Sequence, residues 1–153
     1  YAKSDSTEVA IEEFRSAVRK YDGKIGGEVA QFLYARQLME QGEFNKAFSE
    51  LEEVEVEDSY VQVLAIGLRG DCKSEMKDYE AASKLYVQAA DMMDNDFTTP
   101  MYLQKAAGCA EELNDIKAAR KYYKRIKDDY PQYAIARDSE IERRYARVKN
   151  MTR

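Results

Sequence analysis

Asp78-Tyr79-Glu80-Ala81-Ala82-Ser83-Lys84-Leu85-Tyr86-Val87-Gln88-Ala89-Ala90 carries apolar residues at Tyr79, Ala82, Tyr86 and Ala89, and the series continues to Met93. Steps of three and four draw one stripe down a helix. Its small members stand where a neighbouring helix must come close, and an aromatic one turn away fills the gap beside them. The template recurs along the chain. Downstream it reads Ala119, Tyr123 and Ile126 before Pro131; upstream it reads Ala47, Leu51 and Val54, and earlier Ala10, Phe14 and Ala17. The leading alanines lie 37, 35 and 37 residues apart. Recurrence at this length marks stacked supersecondary units.

Each stripe has a partner upstream. Leu103, Ala106, Ala107, Ala110 and Leu113 precede Ala119, while Ile66, Gly70 and Cys72 precede Ala82. Before Ala47 the matching residues are Gln31, Tyr34, Ala35, Leu38 and Gly42. This arrangement resembles the tetratricopeptide repeat. That family carries a small residue in its first helix and a Gly near the turn, then Ala, an aromatic, Ala and a closing Pro in its second. Here Lys77 and Asn114 stand in the place of the turn Gly, Lys73 holds a slot usually given to Tyr, and only Pro131 keeps the closing Pro. The likeness runs over nearly the whole chain. It implies an all-α fold, a right-handed α-α superhelix of helix hairpins with about eight helices. A half repeat would occupy 1–25, full repeats about 28–60, 61–97 and 98–131, and a capping helix 133–149.

Local signals supply the expected elements. A first helix from about Ser6 to Tyr21 buries Ala10, Phe14, Ala17 and Tyr21, and Gly23, Gly26 and Gly27 open a loop after it. A second runs from Glu28 to Gln41 with Gly42 closing it, and a third from Phe44 to Val54. Asp58 and Ser59 cap a fourth that reaches Met76. Its apolar content (Val61, Leu64, Ile66, Leu68) makes it central. Asp78 starts the next. Thr99 is expected to cap the next helix, with Pro100 in its first turn, and that helix runs to Leu113. Asp115 caps another that reaches Asp128, and Pro131 stops it. The last, Tyr133 to Lys149, sets Ile141, Tyr145 and Val148 on one face and Arg137, Arg143, Arg144 and Arg147 on the other, the polar exterior a terminal repeat needs.

At 153 residues the chain has the length of one domain, and 35% of its residues are charged. No run approaches the roughly 18 apolar residues of a membrane span. The chain opens on Tyr1, within the second helix of a unit whose first helix is missing, so a processed or truncated piece of a longer protein is expected. Cys72 and Cys109 hold equivalent places in successive units, on the order of 10 Å apart and beyond the roughly 7 Å reach of a bridge. Two small buried thiols are expected. Residues 117–153 hold 12 Lys+Arg against 5 Asp+Glu, while residues 1–116 hold 12 against 24. That asymmetry bears on partners and association, not on fold.

The chemistry of catalysis is thin. The chain has no histidine, which removes Ser-His and Cys-His pairs and the commonest metal ligand. No glycine-rich phosphate loop follows a strand. The acidic run Glu50, Glu52, Glu53, Glu55, Glu57, Asp58 lacks the Gly-centred turn of a calcium loop and reads as a solvated helix end. Asp94 and Asp96 have calcium-like spacing without the closing Glu. No enzyme, cofactor or metal is expected. Lys117, Lys121, Lys124 and Arg125 with Tyr122 offer a basic face, but the acidic total repels phosphate, and nucleic acid is not the expected partner.

Protein binding remains. Stacked hairpins leave a concave face lined by first helices. By register that face presents Val29, Phe32, Leu33, Arg36 and Met39, then Leu64, Gly67, Leu68 and Asp71, then Met101, Gln104, Lys105 and Gly108. Such a strip suits an amphipathic or extended peptide, although each apolar member also reads as plain core. The Lys and Asn clamp by which some relatives hold a C-terminal carboxylate is not at these positions.

Two phrases narrow the likeness. Asn95-Asp96-Phe97-Thr98-Thr99-Pro100-Met101-Tyr102-Leu103 and Arg125-Ile126-Lys127-Asp128-Asp129-Tyr130-Pro131 resemble the YfgM-like group of bacterial repeat proteins, as does Arg137-Asp138-Ser139-Glu140-Ile141-Glu142-Arg143. Members carry an N-terminal inner-membrane anchor before a periplasmic repeat domain, and the founding member is associated with the Sec translocon and periplasmic chaperones. The resemblance implies an adaptor domain facing the periplasm, with any membrane contact made through a missing anchor; without it, a cytoplasmic location stands. A second class of function is self-assembly through the complementary acidic and basic ends.

Overall fold

The computed structural model describes Val9, Glu12, Glu13, Ser16 and Lys20, all helical, and then residues 25–54, 59–136 and 140–151. The fold is all-α, with no strand among the described residues. Eight helices follow in order: α1 (Ile25–Glu40), α2 (Phe44–Glu52), α3 (Ser59–Glu75), α4 (Tyr79–Met92), α5 (Thr98–Glu112), α6 (Ile116–Asp129), α7 (Pro131–Ala136) and α8 (Glu140–Asn150). None among the described residues is long and apolar enough to cross a membrane. The buried residues Ala10, Phe14, Ala17 and Tyr21 expected in the first helix lie outside the described residues.

The helices are joined by one turn used three times. Gly42, Lys77 and Asn114 have φ of 78°, 61° and 56°. At each, the following amide reaches back five residues: Glu43 N–H to the Leu38 carbonyl at 2.9 Å, Asp78 to Lys73 at 2.9 Å, and Asp115 to Ala110 at 2.8 Å. The left-handed residue itself donates to the carbonyl three back, at 3.0, 2.9 and 3.0 Å. This is a Schellman closure. Its left-handed site accepts glycine without strain, asparagine at small cost and lysine at more. Asp78 and Asp115 then cap the next helix, accepting from Ala81 N–H at 3.2 Å and Ala118 N–H at 3.0 Å. Glu43, in the same place, makes no side-chain cap.

The chain divides into two compact units, Tyr1–Cys72 and Lys73–Arg153. In the first, α1 packs on α2, with Ala35 and Ala47 fully buried and Leu38 and Leu51 beside them. Small residues at the contact let the backbones approach. Arg69 of α3 lies 5.3 Å from the Phe48 ring centroid and pairs with Glu52 at 3.2 Å. In the second unit α4 packs on α5, α5 on α6, and α6 on both α7 and α8. Ala82, Ala89 and Ala90 face inward from α4, Ala106 and Ala107 from α5, each with essentially no exposed surface. Leu103, Ile126 and Ile141 are fully buried, each worth about 1.5–3 kcal/mol of removal from water. Cys72 and Cys109 are buried thiols.

Four expectations need correction. Gly26 and Gly27 do not open a loop; they lie in the first turn of α1, which begins at Ile25. Amides of a first helical turn lack intrahelical partners, so glycine loses little there. Second, α2 ends at Glu52, not Val54, though Val54 is still buried. Third, Thr99 does not cap α5. The Asn95 side-chain oxygen takes the N–H groups of Phe97 at 3.0 Å and Thr98 at 2.7 Å, while Thr99 Oγ1 accepts the Asn95 N–H at 3.0 Å. Pro100 is therefore the third residue of the helix. Fourth, helix resumes at Pro131 and not at Tyr133: Pro131 begins α7 as its first residue, where its missing donor is no loss; residues 137–139, Arg137 among them, lie outside the described residues, and α8 is described from Glu140. Ile141 and Val148 of α8 are buried as expected.

Candidate functional site

The first helices position the expected peptide face unequally. On α1, Val29 (47% exposed), Leu33 (36%) and Arg36 reach solvent, with Phe32 and Met39 half-buried. On α3, Leu64, Leu68 and Asp71 are half-buried and Gly67 is buried. On α5, all four expected residues come together. Met101, Gln104, Lys105 and Gly108 line one groove of about 390 Å³, and its other walls are Tyr123, Tyr133 and Arg144.

Each side chain is held in place by a neighbour. Tyr86 of α4 and Tyr102 of α5 stack at 6.2 Å between centroids and 17° between planes. The Lys105 ammonium lies 5.5 Å from the first ring and 5.9 Å from the second. The ring quadrupoles attract the cation, by about 0.5–1 kcal/mol at a partly exposed site. Tyr133 of α7 donates its hydroxyl proton to Gln104 Oε1 at 2.8 Å. That leaves the amide N–H groups of Gln104 to the groove. Gly108 forms the floor, and a Cβ built on it would meet nothing within 4 Å.

The far wall hangs on one carboxylate. Glu111, near the end of α5, accepts from the Tyr123 hydroxyl at 2.5 Å, stands 3.5 Å from Arg144 Nη1, and pairs with Arg147. Arg144 also donates Nε to Glu140 at 3.0 Å and lies 3.5 Å from the Tyr123 oxygen. α8 is thereby tied to α5 and α6. Arg143 and Arg147 are exposed as expected, Arg147 reaching Glu111 from the surface, whereas Arg144 is half-buried against Glu111. Burial pushes the Tyr123 hydroxyl pKa above its ordinary value, against the pull of Arg144.

Periodicity alone does not supply Tyr123, Tyr133 and Arg144. Tyr123 reads as core, and its ring is fully buried; only its hydroxyl reaches the polar wall. Tyr133 and Arg144 arrive from α7 and α8, whose packing the three-and-four spacing of the stripes does not specify.

A second cleft, about 500 Å³, is lined by Asp94, Asn95, Asp96, Arg125, Asp129 and Tyr130. Its polar groups answer one another. Arg125 pairs with Asp91 at 2.7 Å and stands 3.9 Å from Asp129, and the Tyr130 hydroxyl donates to Asp94. This network ties the end of α6 to the α4–α5 connection. It also withdraws Arg125 from the basic face considered for nucleic acid. Of that face, Lys117, Lys121 and Lys124 are exposed, with Lys124 paired to Asp128.

Among the described residues no group of three or more Cys, Asp or Glu side chains is placed to hold a metal ion. No protein-family model matches the sequence, and no curated protein matches it.

Proposed function

We propose that this chain is a non-catalytic scaffold of the tetratricopeptide type, whose groove over α5 holds an extended or amphipathic segment of a partner protein. One observation carries the reading. Met101, Gln104, Lys105 and Gly108, chosen by repeat register, line a single groove whose walls come from three further helices. A groove of aromatic sides, a glycine floor and a few fixed polar groups is suited to a main chain with intermittent side chains. The likeness of 95–103 and 125–131 to the YfgM-like group adds a location to the proposal, the periplasmic side of a bacterial inner membrane near secretion or chaperone machinery.

The test is site-specific photo-crosslinking in the native host. A crosslinker at Gly108 is expected to capture a discrete partner, and one at Lys117, on the exposed side of α6, is not. Identical adducts from both positions would remove the groove from the reading.

The charge asymmetry favours a second reading, self-association of acidic and basic ends. Residues 117–153 carry 12 Lys+Arg against 5 Asp+Glu, and residues 1–116 carry 12 against 24. Charge-driven assembly weakens with salt. Sedimentation at low and high ionic strength separates the readings, because a monomer at both excludes assembly of this kind.

A further inference from the structure

We infer that the groove over α5 takes an extended segment lengthwise, its main chain resting on Gly108 and one of its carbonyls accepting from Gln104; this rests on the groove being a site for a protein segment.

Gly108 is a glycine that the fold itself does not need. It lies inside α5, four residues before the end. Glycine there costs helix stability relative to alanine, because it gives up more conformational freedom. Two features commonly offset that cost: a positive φ, or a neighbour too close for a Cβ. Gly42 has the first, at φ 78°, and Gly108 does not. Nor does Gly108 have the second, since a Cβ built on it would meet nothing within 4 Å. The repeat makes no demand either, for the equivalent places hold Arg36 in α1 and Asp71 in α3. Gly108 lines the groove. What remains is approach from outside, by an occupant whose backbone comes nearer to α5 than a methyl group allows.

Gln104 fixes which part of the occupant arrives. It stands one turn before Gly108 on the same face, about 6 Å along the axis. Tyr133 donates to its carbonyl at 2.8 Å, and among the described residues nothing accepts from its amide N–H groups. Those donors call for an acceptor. A helical segment keeps its carbonyls for its own amides and holds its main chain away behind its side chains. An extended segment offers an uncovered main chain and free carbonyls, and those on one side recur about every 6.7 Å. That spacing is close to the turn between Gln104 and Gly108, so one segment can touch both.

The experiment selects random peptides by display on the full-length chain and measures them, fluorescently labelled, against three variants. Gly108→Ala is expected to raise the thermal midpoint by about 2–4 °C and to weaken binding about tenfold or more. Gln104→Glu keeps an acceptor for Tyr133 but removes the donors, and should weaken binding by a similar factor. Gly108→Trp should weaken it further still. An ester in place of one peptide bond makes its carbonyl a poorer acceptor. Esters scanned along the peptide should therefore find one position at which Gln104→Glu costs much less than it does against the all-amide peptide. The crosslinker at Gly108 traps even weakly held complexes irreversibly, so it reports occupancy of the groove, whereas these affinities report closeness of approach. Binders blocked by Gly108→Trp but indifferent to Gly108→Ala keep the groove and overturn the backbone contact. A midpoint lowered by Gly108→Ala overturns it too, by giving the glycine a role in the fold. Absence of any ester position coupled to Gln104, or binders that are helical when bound, overturns the extended carbonyl contact. Binders indifferent to Gly108→Trp, or none at all, overturn the groove itself and the proposed function with it.

Discussion

Helices α1 and α5 hold equivalent positions 72 residues apart, and the rows they present differ in chemistry. Val29 answers to Met101, Phe32 to Gln104, Leu33 to Lys105, Arg36 to Gly108 and Met39 to Glu111. On α1 the row is mainly apolar, with Val29 and Leu33 in solvent. On α5 it is the floor of a groove walled by Tyr123, Tyr133 and Arg144. The last pair explains the difference. Where α1 has a methionine, α5 has the carboxylate that Arg144 and Arg147 of α8 both reach. Register determines which residues share a row. Whether the row becomes a groove depends on side chains that arrive from α7 and α8.

The largest expected effects test the shared register. Tyr123→Ala should cost about 3–5 kcal/mol and Leu51→Ala, at the equivalent place in α2, about 2–5 kcal/mol. Both side chains are at most 2% exposed. Chemical denaturation measures each, and a loss below about 1 kcal/mol at either would mean that its stripe is not core. A smaller effect tests the difference. Glu111→Met gives α5 the residue that α1 carries, leaving Arg147 and the Tyr123 hydroxyl without this acceptor and Arg144 with Glu140. The carboxylate is 15% exposed, so the expected loss is about 1–3 kcal/mol, discounted for solvent. It should come with faster hydrogen exchange in α8 and unchanged exchange in α1. Uniform exchange would show that the cap is held by Ile141 and Val148 alone.

The three turns sharpen the comparison on a finer scale. Gly42→Ala should lose about 1 kcal/mol at its positive φ, whereas Lys77→Gly should gain up to about 1 kcal/mol and Asn114→Gly less. Thermal unfolding ranks the three. A gain at Asn114 equal to that at Lys77 would mean that the asparagine side chain gives no relief of the left-handed geometry.

The repeat was legible because it rests on short-range periodicity. Ala47, Ala82 and Ala119 are each fully buried, and the positions of Lys77 and Asn114 in the recurring pattern point to the turn that their positive φ confirms. The boundaries were less legible where one residue type serves two purposes. Pro131 both ends α6 and begins α7, and Asn95 rather than Thr99 caps α5 because its amide reaches two N–H groups from inside the connection. Half of the groove was readable on α5. The rest was not, since Arg144 meets Glu111 across 33 residues, and nothing in a 35- to 37-residue period specifies that meeting.

The smallest effect concerns the Tyr123 hydroxyl, the polar end of a residue otherwise in the core. Burial raises its folded pKa, opposed by Arg144. An unfolded tyrosine ionises near pH 10. Between that pH and the folded value, the unfolded chain has released a proton that the folded chain still holds. Stability contributed by this difference is whole below about pH 10 and declines as pH rises through the folded pKa. Tyr130 shifts the same way, by burial and then by Asp94, so Tyr123→Phe should flatten the alkaline decline without abolishing it. Denaturation midpoints across the alkaline range, read beside tyrosinate absorbance, measure this. An unchanged slope in the variant would mean that Tyr123 ionises alike folded and unfolded. Its hydroxyl would then be reached by water despite the buried ring, and the wall between Glu111 and the groove would be open on that side.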